Sequence, residues 1–295
     1  MIKKISALLF AMLLLCSCAD SPKPEPIISG DDLSGDTVQE DTDLTPIYDN
    51  TAIVEAYHSE NTSKLDEKQL AIYNAAIEAV NGFYSAEMSE EDIVLAAHDW
   101  IVTHTKYDSN MLLPIPRQTE DAENPYGLLI KKQAICMGYT TTFQLFMDML
   151  EIESIIVRGT GNDEEHAWNM VNIGGEWYHV DVTWDDFVPD EDGRPAFHIY
   201  FMVPDYAMET NHVWDHDSTP RATSEDKIYY KSHGLYAGTE AECVALLRAA
   251  KDAGLGYAEI MTPSNSEVVN YLYTYWPSQL GTSQNSYVIT IYWIT

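Results

Sequence analysis

Apolar residues recur at helical spacing in three stretches of the chain. Leu65, Leu70, Tyr73, Ile77 and Val80 follow Asn61-Thr62-Ser63 and mark one amphipathic helix. Ser89-Glu90-Glu91-Asp92 has the form of a capping box and starts a second, running to about His104 with Ile93, Ala97, Trp100 and Ile101 inward. Tyr139, Phe143, Phe146, Met147 and Leu150 line a third, with Cys136 at its amino end. The period then shortens. Ile155-Ile156-Val157 reads as a buried strand and Gly159-Thr160-Gly161-Asn162 as a turn. Gly174-Gly175, flanked by Val, Ile, Trp and Tyr, reads as a two-residue hairpin loop between two strands, and residues 197–203 as one more strand.

The hairpin carries a geometric consequence. If Ile173 pairs with Glu176, counting outward sets His166 opposite Thr183 and Trp168 opposite Asp181, so His166 and Asp181 become diagonal neighbours on one face. Trp168 shares that face and shields the pair from water, while Val171, Val180 and Val182 on the other face supply core. A slip of one residue would separate His166 from Asp181.

Outside this region the pattern divides the chain into four parts. Residues 1–18 are a basic start, Met1-Ile2-Lys3-Lys4, an apolar run too short to span a bilayer, and Cys16-Ser17-Cys18. This is similar to a lipoprotein signal peptide with Cys18 as the lipidated residue, which places the protein outside the cytoplasm on a membrane; an ordinary cleaved signal peptide is the alternative. Residues 19–50 hold nine acids against Lys23 and read as a disordered acidic linker. Residues 51–222 form the main domain, in which 109–124, with prolines and acids, is a loop beside the third helix. Residues 223–295 read as a small α/β unit. Its strands are expected at 227–231, 257–261 and 287–294, and its helices start at Thr239-Glu240-Ala241-Glu242 and Ser264-Asn265-Ser266-Glu267.

Charge and cysteine content narrow the function. A formal charge of −31 over 295 residues excludes nucleic acid as a partner. Beyond the leader only Cys136 and Cys243 remain, in different regions, and a disulfide between them would silence the thiol. No cofactor motif is present. His212-Val213-Trp214-Asp215-His216-Asp217 lacks a fixed ligand spacing and reads as a solvated loop rather than a metal site. His98 and His104 read as packing or solvated residues.

Cys136, His166 and Asp181 are the side-chain types of a thiol nucleophile, its base and the carboxylate that orients the base. A helix amino end favours the thiolate, and Asp163-Glu164-Glu165 favours a charged His166. For an oxyanion, the Cys136 N–H is one donor; Gln133, Tyr107 and Tyr126 compete for the second.

Gly127-Leu128-Leu129 through Cys136-Met137-Gly138-Tyr139, then His166-Ala167-Trp168-Asn169, then Trp177-Tyr178-His179-Val180-Asp181-Val182-Thr183-Trp184-Asp185-Asp186 resemble the core of the transglutaminase-like superfamily, over about residues 92–205. The resemblance implies an α+β fold of papain-like type, a nucleophile helix packed on an antiparallel sheet, with Cys136 as nucleophile, His166 as general base and acid, and Asp181 as orienter. It implies thioester chemistry on amide bonds of a peptide or protein substrate, a cell-wall peptide among the candidates, ending in hydrolysis or acyl transfer. The alternative is a catalytically silent cell-surface binding module that keeps the fold.

Overall fold

The computed structural model describes residues 46–113, 118–186, 196–263, 267–275, 280–282 and 288–292. Cys18, the signal peptide and the linker up to residue 45 lie outside the described residues.

Three helices open the described chain: α1 (Thr51–Ser59), α2 (Glu67–Phe83) and α3 (Glu90–His104). α2 and α3 begin at reciprocal capping boxes, Asp66 with Gln69 and Ser89 with Asp92, each contributing about 1 kcal/mol. The apolar pattern does not signal α1. That helix is held by tertiary contacts instead: Ile53 is wholly buried, and Asn50 donates from Nδ2 to the Thr141 carbonyl at 2.9 Å.

β1 (Lys106–Tyr107) and β2 (Gln133–Ala134) pair in parallel, which sets Tyr107 beside Ala134 at the foot of α4 (Cys136–Met149). Strands β3 (Ser154–Gly161), β4 (Glu164–Ile173) and β5 (Glu176–Val180) follow. Next come α5 (Val182–Asp185), β6 (Phe201–Val203), α6 (Asp205–Met208) and β7 (His212–Trp214). The sheet is antiparallel throughout, in the order β6-β5-β4-β3-β7. After α7 (Tyr229–Ser232) come α8 (Glu240–Asp252), β8 (Tyr257–Met261), α9 (Glu267–Tyr275), β9 (Leu280–Thr282) and β10 (Val288–Tyr292), whose strands form a second sheet in the order β8-β10-β9. Helices on a five-stranded antiparallel sheet make this an α+β fold.

Both faces of the main sheet are covered, and β4 shows why. Its alternate residues Val171 and Ile173 pack with Tyr139, Phe143 and Phe146 of α4 and with Ile72, Ile93 and Ile101 of the preceding helices. Trp168 and Met170 point the other way, into a cluster with Val157, Tyr200, Val203 and Trp214. Cover on both sides buries β4 without interruption from His166 to Val171.

The hairpin forms as expected at its tip. Ile173 pairs with Glu176, and Gly174 and Gly175 have φ of 66° and 90°. A Cβ at either would meet no atom within 4 Å, so only backbone conformation requires glycine there.

The ladder stops sooner than the sequence suggests. Asn169–Val180 is its last pair; the chain then turns into α5, so Thr183 is helical and does not face His166. The ladder partner of His166 is Gly159 on β3. Gly159 and Gly161 accordingly lie in that strand, and the turn before His166 is Asn162-Asp163, with φ of 48° and 67°. Of residues 197–203 only the last three are extended. The 227–231 segment contains the start of α7 rather than a strand, with Tyr230 buried.

Candidate active site

Asp181 holds the site together. It caps α5 through Oδ1, which accepts from Thr183 N at 3.1 Å and Trp184 N at 3.2 Å. Its Oδ2 accepts from His166 Nε2 at 2.7 Å and from His212 Nε2 at 3.1 Å. The carboxylate is wholly buried. Burial alone would raise its pKa, but the His166 charge and the bonds from both imidazoles keep it well below the usual carboxylate range. The expected pairing of His166 and Asp181 therefore forms, by a cap at the end of β5 rather than by a diagonal across a ladder.

Cys136 opens α4, is partly exposed, and is free, as is Cys243. Its thiol is close enough to the His166 ring to favour the ring's charged form. Asp181 occupies Nε2, which leaves Nδ1 as the ring nitrogen open to the thiol. Burial pulls the His166 pKa down; the charge and hydrogen bond of Asp181, then Cys136, outweigh it and lift the value from 6.5 to about 10. No side chain caps α4, which leaves the first-turn N–H groups of the helix unspent on a cap.

Two ties hold the helix that Cys136 opens against the strand that carries His166. Thr140 Oγ1 donates to the Ala167 carbonyl at 2.9 Å, and Asn169 Nδ2 donates to the Thr140 carbonyl at 3.3 Å. They bind α4, one turn past Cys136, to β4 on both sides of Trp168. Gly138 brings the helix start onto the loop before it: a Cβ there would lie 2.3 Å from the Ala122 carbonyl oxygen.

Aromatic rings wall the His166 imidazole. Trp168 stacks at 5.9 Å from His166, Trp184 lies at 5.3 Å and His212 at 5.4 Å. Trp184 reaches over Gly161, where a Cβ would come within 2.6 Å of its ring. Behind Trp168, its indole N–H donates to His179 Nδ1 at 2.9 Å, so His179 is the neutral tautomer with its proton on Nε2, toward Asp205 at 3.0 Å. Burial also pushes the His179 pKa down.

The three candidates for a second oxyanion donor separate clearly. Gln133 donates from Nε2 to Asp108 at 2.7 Å, within a buried cluster that also takes Thr119 N at 2.7 Å and orders the adjoining loop. Tyr126 faces the ammonium groups of Lys68 and Lys131. Burial first, then the neighbouring Cys136, raises the Tyr107 pKa to about 12, so the phenol keeps its proton.

No local motif marks His212 as part of this site. The 212–217 segment is not one solvated loop: His212 and Trp214 are buried on β7 with Val213 between them 66% exposed. That alternation is the signal of an edge strand. Two groups of metal-ligating side chains converge among the described residues, His166 with Asp181 and His212, and His98 with Asp99 and His198.

Residues 77–182, which include Cys136, His166 and Asp181, match the transglutaminase-like superfamily. A mouse protein named kyphoscoliosis peptidase is 28% identical over 141 residues, covering 43% of this chain and 21% of that protein. The human kyphoscoliosis peptidase is 26% identical over the same length. The chain thus spans about a fifth of the length of these curated relatives. A solved TGase structure superposes with a TM-score of 0.35 at 19% identity, covering 49% of this chain and 39% of that one. The part of the chain that holds Cys136, His166 and Asp181 is thus the part similar to the transglutaminase-like superfamily.

Proposed function

We propose that this protein is a thiol enzyme acting on amide bonds of peptides or proteins. The observation that carries the reading is the 2.7 Å bond from His166 Nε2 to the buried Asp181, with the Cys136 thiol acting on the same ring from the start of α4. His166 holds the sulfur's proton at rest and gives it to the nitrogen as the sulfur attacks the carbonyl carbon and the C–N bond breaks. The amine leaves and a thioester remains on Cys136. In the second half, water or an amine gives a proton to His166 and attacks the thioester carbon, releasing an acid or a new amide with the thiol. Asp181 keeps the ring oriented and stabilises its charged form.

The negative charge that develops on the carbonyl oxygen needs donors placed in advance. The Cys136 N–H at the helix start supplies one, and the protonated phenol of Tyr107 the second. Asp163 in the turn and Glu164 and Glu165 at the start of β4 lead directly into His166, so cationic segments of a peptide are favoured over anionic ones.

Labelling with an electrophilic amide-targeting probe tests the assignment. Wild type is expected to take one probe on Cys136 and Cys136→Ala none; equal labelling of the two would refute it. The proposed site of action is outside the cytoplasm, anchored through Cys18, on the support of the leader sequence. Loss of membrane partitioning in Cys18→Ala is the expected result, and unchanged partitioning excludes the anchor.

A further inference from the structure

On the far side of α5 from Asp181, a second set of imidazoles and carboxylates gathers without a part in the reaction above. His98 and Asp99 come from α3, and His198 from the segment before β6. The Nδ1 of His98 and the Nε2 of His198 each lie 2.9 Å from the same oxygen, Asp99 Oδ1. The three ligand atoms all fall within 4.8 Å of one another. Separations of 2.9 Å from the shared oxygen are within the reach of ligands on one ion with bonds of about 2.0–2.2 Å.

The outward nitrogens carry the stronger argument. His98 Nε2 is bonded to Asp185 Oδ2 at 3.1 Å, and His198 Nδ1 to Glu259 Oε2 at 3.3 Å. Each ring therefore has its own carboxylate on the side away from Asp99. Metal-binding histidines use this arrangement, because the outer carboxylate fixes the tautomer that presents a lone pair inward. Both outer carboxylates are themselves held, Asp185 by the Tyr200 N–H at 3.0 Å and Glu259 by the Tyr230 hydroxyl at 3.2 Å.

Charge and access point the same way. With neutral rings, Asp99, Asp185 and Glu259 leave three negative charges around the cluster, which a divalent cation reduces to one. The histidine side chains are 0% and 6% exposed but Asp99 is 41% exposed, so solvent reaches the open position. The competing occupant of the inward positions is a proton on each ring, which closes every hydrogen bond without an ion, so metal binding releases protons.

We propose that His98, Asp99 and His198 form a binding site for a divalent transition ion of the zinc class, with solvent as the fourth ligand. Asp185 belongs to the helix that Asp181 caps and Glu259 to β8, so the ion would join the catalytic loop to the C-terminal elements.

Titration of the tag-free full chain, stripped with a chelator, with Co²⁺ and then Zn²⁺ tests the site. One equivalent of Co²⁺ is expected, with visible d–d absorption that Zn²⁺ abolishes. Asp99→Asn and His198→Gln should each eliminate it, and Glu259→Gln should weaken it about 10–100-fold while leaving the three ligands in place. X-ray absorption of wild-type protein loaded with zinc should count two imidazoles, a result that depends on no variant's folding. Failure of wild type to take up either ion would overturn the proposal. So would binding unchanged in Asp99→Asn, or binding lost only in His212→Asn, which would move the ion to the catalytic cluster.

Discussion

His212 donates from Nε2 to the same Asp181 oxygen that receives His166, at 3.1 Å against 2.7 Å. The acid is thereby gripped by two imidazoles on one oxygen and two backbone N–H groups on the other. A carboxylate with four donors cannot rotate away from the base. Removing one buried charge-assisted bond costs about 1.5–3 kcal/mol, so His212→Asn should slow probe labelling of Cys136 roughly 10–100-fold. A purely packing role for His212 would leave the labelling rate intact and lower only the melting temperature.

The stability of the His166–Asp181 pair should depend on pH in both directions. The folded-state pKa of His166 is raised from 6.5 to about 10, so its contribution is complete below about 6.5 and is lost as pH rises toward 10. The pKa of Asp181 is depressed below 3.8, so its contribution is present above that value and is lost as pH falls through the folded-state value. Thermal unfolding followed from pH 5 to pH 10 should show wild type losing more melting temperature above pH 6.5 than His166→Gln does. Parallel curves would contradict the linkage.

Tyr107→Phe removes a hydroxyl and little volume. If the phenol donates to the developing oxyanion, kcat with a peptide amide should fall on the order of 10²-fold with KM nearly unchanged. An unchanged kcat would return the second donor to another group.

Gly138→Ala tests why the Cys-Met-Gly-Tyr segment needs its glycine. The new methyl would sit 2.3 Å from the Ala122 carbonyl oxygen, and that oxygen accepts the Ile135 N–H at 2.9 Å directly before Cys136. A shift of backbone against backbone should cost about 1–3 kcal/mol and displace Cys136. Urea denaturation measures the first effect and probe labelling the second.

The parts of this fold that were legible in the sequence are those fixed by local rules. Capping boxes at Ser89 and Thr239 start α3 and α8, and the paired glycines set the hairpin. The meeting of His166 with Asp181 follows from that hairpin even though the ladder ends at Val180, because the aspartate caps the next helix instead of continuing the strand. What escaped depends on distance along the chain. His212 is 31 residues from Asp181, and its strand is three residues long. His98 and His198 meet the same aspartate from positions 100 residues apart, so no spacing motif connects them. α1 is amphipathic too briefly to stand out, and docking on α4 stabilises it.

The most direct test is mass spectrometry of the protein rapidly quenched during turnover of a peptide amide. An acyl group carried on the Cys136 peptide, absent in Cys136→Ala and formed more slowly in Asp181→Asn, is the expected result. Turnover without an adduct on Cys136, or with full rate in Cys136→Ala, would contradict the assignment of that sulfur as the nucleophile.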